Sequence, residues 1–275
     1  MNDGGGKLGE QMLKAAHPPR SFASRVREQL PPLIAIGLIV LFWETFNWLF
    51  DQPEWILPPL HKIIYTAIEG AEDRFLYAAY VTLIEVIGGF FLGAVVGLTL
   101  GVTLYHSETM RKALYPLIIY SQTIPVIAIA PVLVIWFGFG PEPKIMLAAL
   151  IIFFPVFMTT FAGLSAIERD MILLMESLGA SAWMTFKKVR LPGALPFVFT
   201  GIKQAAILSP IGAIVGEFVG SHEGLGPVMI ASNAAFKTHF VFAGIFYLAV
   251  MAVSLFLIVV IVERAVIPWY YVRNR

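Results

Sequence analysis

Six apolar runs constrain this chain more than any other feature. They cover residues 32–50, 79–105, 114–137, 145–164, 195–219 and 240–262. A helix rises 1.5 Å per residue, so about 20 apolar residues cross a hydrocarbon core of about 30 Å. Inside lipid, every backbone N–H and C=O must be bonded within the protein. A helix does this within one segment, whereas a barrel strand needs only about ten residues. Runs of this length therefore predict an all-α polytopic membrane protein with about six transmembrane helices. Composition agrees: 58% of the 275 residues are hydrophobic and 13% are charged, against about 25% charged in soluble domains. The mean hydropathy is +0.80. Cysteine is absent, which excludes a disulfide framework and thiolate chemistry. A net charge of +1 gives no signal for nucleic acid. The first apolar run begins near Pro31 and no small-residue cleavage site follows it, so it reads as a retained span.

Six spans put both ends on one side, and charge selects the side. Fourteen basic residues lie in the two ends, the 106–112 loop and the 166–193 segment. The opposite side holds four: Lys62, Arg74, Lys144 and Lys237. Lys203 falls inside a span. The positive-inside rule then predicts a cytosolic N-terminal arm (1–30), a transmembrane domain (31–268) and a cytosolic tail (269–275). The 166–193 segment is predicted to be cytosolic too. Residues 60–70 read as a short interfacial helix. Gly89, Gly93, Gly97 and Gly101 recur every four residues, which predicts a smooth strip for close helix packing.

The segment MILLMESLGASAWMTFKKVRLPGALP, residues 171–196, has a pattern of its own. A helix over 171–178 is expected to close at Gly179, since glycine takes the left-handed conformation without a Cβ clash. Ser181 is placed to N-cap a second helix over 182–189. Lys187, Lys188 and Arg190 fall in its last turn, where cations suit the helix dipole, and Pro192 is expected to stop it. The prediction is a helix–glycine–helix elbow between spans four and five.

This elbow resembles the loop shared by permease subunits of bacterial ABC importers: Glu-Ala-Ala, three residues, Gly, nine residues, Ile, one residue, Leu-Pro. Gly179, Val189, Leu191 and Pro192 fall in register. Leu173, Leu174 and Met175 stand at the Glu-Ala-Ala positions, so the acid is absent there, and Glu176 is three residues late. The resemblance extends over about 55–270. WILPPLHKI, SQTIPVIAIAPVLVIWFGFG, KIMLAALIIFFPVFMTTFAGL, LGASAWMTFKKVRLPGALPFVFTGIKQA and VGEFVGSHEGLG look like nitrate/sulfonate/taurine-type permeases. Within that group SQTIPVIAIAP with VGEFVGSHEGLG is most similar to permeases for thiamine pyrimidine precursors or riboflavin. The resemblance implies a permease subunit in a bacterial inner membrane, surrounded by lipid and paired with a second permease copy. It implies that Leu174, Glu176, Ser177, Leu178, Gly179, Ala180, Ser181, Leu191 and Pro192 couple to a cytosolic ABC ATPase dimer. ATP and magnesium would be bound by that partner, since this chain has no G-x-x-x-x-G-K-[ST] loop and no cofactor or metal site of its own. A periplasmic solute-binding protein would dock at the outer loops, with Ser221, His222 and Glu223 the candidate contacts.

Charged residues inside spans are costly and need a reason. Glu44 and Glu85 lie toward outer span ends and either reach water or serve the path. Lys203 either snorkels to the cytosolic surface or is functional. Glu217 reads as an interfacial acid or as a gate residue. Ser121, Gln122 and Thr123 precede Pro125, where a helix break offers polar groups to a solute, and they read equally as hydrogen-bonding glue between helices. An intramembrane hydrolase fits poorly: the serines of GLSA and GASA and the histidines His222 and His239 fall on opposite sides. An ion-coupled carrier using Glu85 and Glu217 is the other alternative, distinguished by dependence on an ion gradient rather than on ATP.

Overall fold

A computed structural model describes residues 22–68 and 73–273, which fall into two compact units, one ending at Leu60 and one starting at His61. Most of the arm expected at 1–30 lies outside the described residues. The first unit holds α1 (Phe22–Phe50). Its apolar side chains, such as Leu33, Ile39 and Phe42, are exposed, as suits a lipid-facing helix. The segment after α1 folds back on it: Trp43 Nε1 donates to the Pro58 carbonyl at 3.1 Å, and Asn47 Nδ2 to that of Leu57 at 2.9 Å.

The second unit includes α2 (Leu60–Ile68), where the short interfacial helix is expected. Its three long central helices are α3 (Asp73–His106), α6 (Glu142–Ser165) and α9 (Leu191–Gly220). α6 lies between the other two, and the glycine strip of α3 explains how. A Cβ on Gly89, Gly93, Gly97 or Gly101 would collide with Ala148, Ile152, Val156 or Thr160 of α6, respectively. On the other side, Gly212 of α9 approaches Ala148 as closely. Ile152, Val156 and Phe157 of α6 are fully buried. With almost no hydrophobic drive between helices in lipid, such small-residue contacts supply the packing. α11 (Thr238–Val266) flanks α9 and ends in the short α12 (Pro268–Arg273).

Five described helices are long and apolar enough to cross a membrane. Expected span three differs from a continuous run. It forms α4 (Glu108–Ser121) and α5 (Val126–Phe137), bent by 100° at the intervening residues. Pro125 has no N–H to continue the ladder and disfavours helix at Ile124, so the chain turns at TIP. The outer segment 220–239, expected as a loop, contains α10 (Leu225–Ala234). The remaining elements, α7 (Arg169–Ser177) and α8 (Ala182–Thr185), belong to the elbow.

Candidate functional site

The elbow closes as its sequence predicts. Gly179 has φ +71°, the left-handed region where glycine alone is unstrained. Ala180 N donates to Met175 O at 3.0 Å and Gly179 N to Glu176 O at 2.9 Å. These are the two bonds of a Schellman closure, which satisfies carbonyls that a helix end leaves open. Ser177 Oγ donates to Leu174 O at 2.8 Å. Ser181 then caps α8, its Oγ accepting the Met184 N–H at 3.2 Å. Pro192 does not stop the helix. Phe186–Arg190 form a π turn in which the Leu191 N–H bonds the Phe186 carbonyl. This register brings Pro192 into the first turn of α9, where its missing N–H costs nothing, so α8, the π turn and α9 form one rod. Leu191 and Pro192 therefore belong to span five rather than to a separate stop.

The rod's start is anchored to the end of α3. The Arg190 guanidinium lies 5.1 Å from the Tyr105 ring centre, and the His106 and Phe186 rings are 4.8 Å apart. Away from that anchor the elbow exposes apolar side chains. Leu178 is 72% exposed and Trp183 69%, with Leu174 and Met184 beside them in sequence also exposed. Glu176 instead faces a cavity of about 470 Å³ shared with Arg111 and Arg190.

At the opposite ends of the long helices lies a buried polar cluster. Glu85 of α3 and Glu217 of α9 are each 1% exposed, and Lys144 of α6 is 4% exposed. Glu85 Oε1 lies 3.1 Å from the Lys144 ammonium, and the Glu85 and Glu217 carboxyl groups are hydrogen-bonded to one another. Glu217 accepts the Thr82 hydroxyl at 2.5 Å and the Gly226 N–H, while Thr82 Oγ1 accepts the Leu225 N–H at 2.9 Å. Two carboxylates, one ammonium and the start of α10 are thus knitted together. Glu85 does not reach water, and Glu217 is no exposed interfacial acid. Lys144, expected in an outer loop, is a core residue. Lys203 does not snorkel; its ammonium bonds both oxygens of Glu263 on α11, at 2.9 and 3.0 Å.

Of the expected path residues, Glu85 and Glu217 meet in the buried cluster and the four beside the break of span three do not join them. Ser121, Gln122, Thr123 and Pro125 form the exposed α4–α5 bend. There the hydroxyls of Ser121 and Thr123 donate to the carbonyls of Ile118 and Tyr120, both at 2.7 Å. In the Ser221–Glu223 tripeptide, Ser221 Oγ bonds the Glu223 carbonyl, and the Glu223 carboxylate accepts the Tyr77 hydroxyl at 3.2 Å. Thr82, Tyr77, Lys144 and Glu263 escape sequence reasoning because their partners lie far away in sequence. The only available signal was charge balance, since buried acids need a cation and Lys144 and Lys203 lie at or within spans.

Three comparisons bear on this architecture. The model of the family described as "binding-protein-dependent transport system inner membrane component" matches residues 89–268, which contain the elbow and Glu217. A probable ABC transporter permease protein of Haemophilus influenzae is 37% identical, covering 82% of this chain and 92% of that protein. The formylaminopyrimidine transport permease ThiX of Halalkalibacterium halodurans is 33% identical over 89% of this chain and 98% of its own length. The riboflavin permease RibX of Chloroflexus aurantiacus is 32% identical, with 86% and 88% covered. Among solved structures, a chain of the MetNI methionine ABC transporter in an inward-facing conformation superposes with a TM-score of 0.56 at 20% identity. It covers 68% of this chain and 94% of that one, which shows a shared fold. The fold is thus a known one, and the chain belongs to the family of inner-membrane components of binding-protein-dependent transport systems.

Proposed function

We propose that this permease subunit imports a small planar heterocycle of the thiamine-precursor or riboflavin type, driven by a separate ATPase. The observation that carries the ATPase partnership is the elbow: a Schellman-closed turn with Leu174, Leu178 and Trp183 exposed, whose second helix runs on into α9. An apolar knob fixed to a transmembrane rod suits the transfer of displacement from a docked ATPase dimer. Charge asymmetry supports a cytosolic side for both termini and this elbow. Ser221, His222 and Glu223 then face outward, where a solute-binding protein delivers its cargo. A second permease copy completes the path between subunits. ATP binding closes the ATPase pair, the elbows follow, and the spans re-pack from inward- to outward-facing.

The heterocycle reading draws on the formylaminopyrimidine and riboflavin relatives. A second reading, import of nitrate, sulfonate or taurine by the same machinery, draws on a taurine permease of Escherichia coli that is 30% identical over 85% of this chain. The test is uptake into proteoliposomes holding the permease with its ATPase and binding protein. ATP-dependent accumulation of a labelled aminopyrimidine or riboflavin, and none of taurine, is the expected result. Uptake that follows an ion gradient without ATP overturns the importer, and ATP-driven uptake of taurine alone overturns the heterocycle.

A further inference from the structure

Glu85, Glu217 and Lys144 come from three different helices and meet out of reach of water. Both acids are 1% exposed and the lysine is 4% exposed. Ions so deeply enclosed are tolerated only when their charges cancel. Two carboxylates against one ammonium leave one negative charge over. A single bound proton removes it.

The hydrogen bonds require the same proton. The Glu85 and Glu217 carboxyl groups are bonded to one another. An ionised carboxyl only accepts, so a bond between two of them exists only when one is protonated. The neighbours decide which one. Glu217 accepts the Thr82 hydroxyl and the Gly226 N–H, the bonding of an anion. Beyond Lys144 and Glu217, no group among the described residues hydrogen-bonds either Glu85 oxygen. Glu85 is therefore the donor and Glu217 the acceptor.

Few other charges act on the cluster. α5 and α10 carry no charged residue, and α11 carries none between His239 and Glu263. A cleft of about 470 Å³ is lined by Glu85 and Lys144 together with Tyr77, Tyr80, His222 and Glu223. His222 and Glu223 are exposed, so they can pass a proton between water and the cluster.

We propose that Glu85 and Glu217 form a buried proton-binding site, in which one proton, carried by Glu85 and shared with Glu217, makes the pair and Lys144 a neutral clamp across α3, α6 and α9. The site does not depend on the solute or on the ATPase. At neutral pH the clamped cluster binds one proton more than the same groups in the unfolded chain. Stability gained from the clamp therefore falls as pH rises. Glu85→Gln reproduces the protonated form, since its amide N–H donates to Glu217 and its amide oxygen faces Lys144.

The test is infrared spectroscopy of the full chain in lipid nanodiscs, with glutamate isotope-labelled at its side-chain carboxyl, at about pH 7. The expected spectrum contains the isotope-shifted carbonyl band of a neutral carboxylic acid. Glu85→Gln and Glu217→Gln should each lose it, because one anion and one ammonium then balance without a proton. Absence of the band in the wild type, or its unchanged intensity in either variant, overturns the site. If Glu217→Gln does not fold, the wild type and Glu85→Gln decide. Thermal melts supply a second reading. Between about pH 6 and about pH 9 the wild-type melting temperature should fall by about 3 °C or more, while that of Glu85→Gln stays level. An equal fall in both places the pH dependence elsewhere and overturns the clamp.

Discussion

Glu217 and Gly226 are joined by a bond between the carboxylate of one and the backbone N–H of the other, nine residues on. The same carboxylate holds Thr82, which in turn holds the Leu225 N–H. Both amides belong to the first turn of α10, where a helix has no internal acceptors and where negative charge suits its dipole. Glu217 thus acts as a remote cap. Gly224, at φ +103°, and Gly226 leave no Cβ in its way. This accounts physically for the EFVGSHEGLG sequence.

Removing that cap should free α10. Glu217→Ala strands the buried Gly226 amide and loosens Thr82, the acceptor of the Leu225 N–H; such a loss costs about 1–3 kcal/mol. Faster hydrogen exchange at Leu225 and Gly226, with a lower melting temperature, is expected. Native exchange rates in the variant would show that the cap is dispensable.

The α3–α6 contact allows no added carbon. At Gly97 a Cβ would lie 2.5 Å from the Phe153 carbonyl and 2.8 Å from Val156 Cβ. Gly97→Val should therefore cost about 1–3 kcal/mol or more from overpacking and reduce folded yield in detergent. Gly37→Val in α1, which has nothing within 4 Å, is the matched control and should be near neutral. Equal yields from both variants would contradict the packing account.

Gly179 makes no close contacts, so its substitution acts through the backbone alone. Gly179→Val should cost about 1–2 kcal/mol at φ +71° and distort the elbow. The expected phenotype is normal membrane insertion with transport uncoupled from ATP hydrolysis in the assembled complex. Full transport at wild-type expression would reduce the elbow to a connector.

Lys203 and Glu263 form a second ion pair, in which Glu263 is 2% exposed and Lys203 is 25% exposed. Lys203→Met leaves that carboxylate without its cation, though Tyr271 still bonds it, and should destabilise the fold by a loss below the level of about 3–5 kcal/mol for breaking a fully buried pair. Adding Glu263→Gln should recover much of it, because the neutral amide needs no counter-charge. A double variant as unstable as the single one would mean that the stem of Lys203, not its charge, supports the fold.

Apolar run length made the spans legible, and a four-residue glycine period made the α3 packing face legible. Gly179 and Ser181 identified the elbow because each sits where local backbone chemistry dictates it. Pro192 misled because a proline signals a stop only when no helix of different register delivers the chain to it. Pro125 located the break in span three but not its 100° angle, which depends on what the two halves pack against. The buried acids were visible as anomalies, yet their partners were not. Glu85 and Lys144 are 59 positions apart, and local pattern carries no information about which helix faces meet.

The rod from Ala182 to Gly220 has a mechanical consequence. At 1.5 Å per residue, 30 residues of α9 alone extend about 45 Å. A rotation of about 4° about its elbow end would sweep the other tip through an arc of about 3 Å, the width of one hydrogen bond. That tip carries Glu217, and α6 is wedged against the same helix through Gly212 and Ala148. Leverage of this size means that a push too small to unfold anything on one side of the bilayer is large enough to make or break single polar contacts on the other.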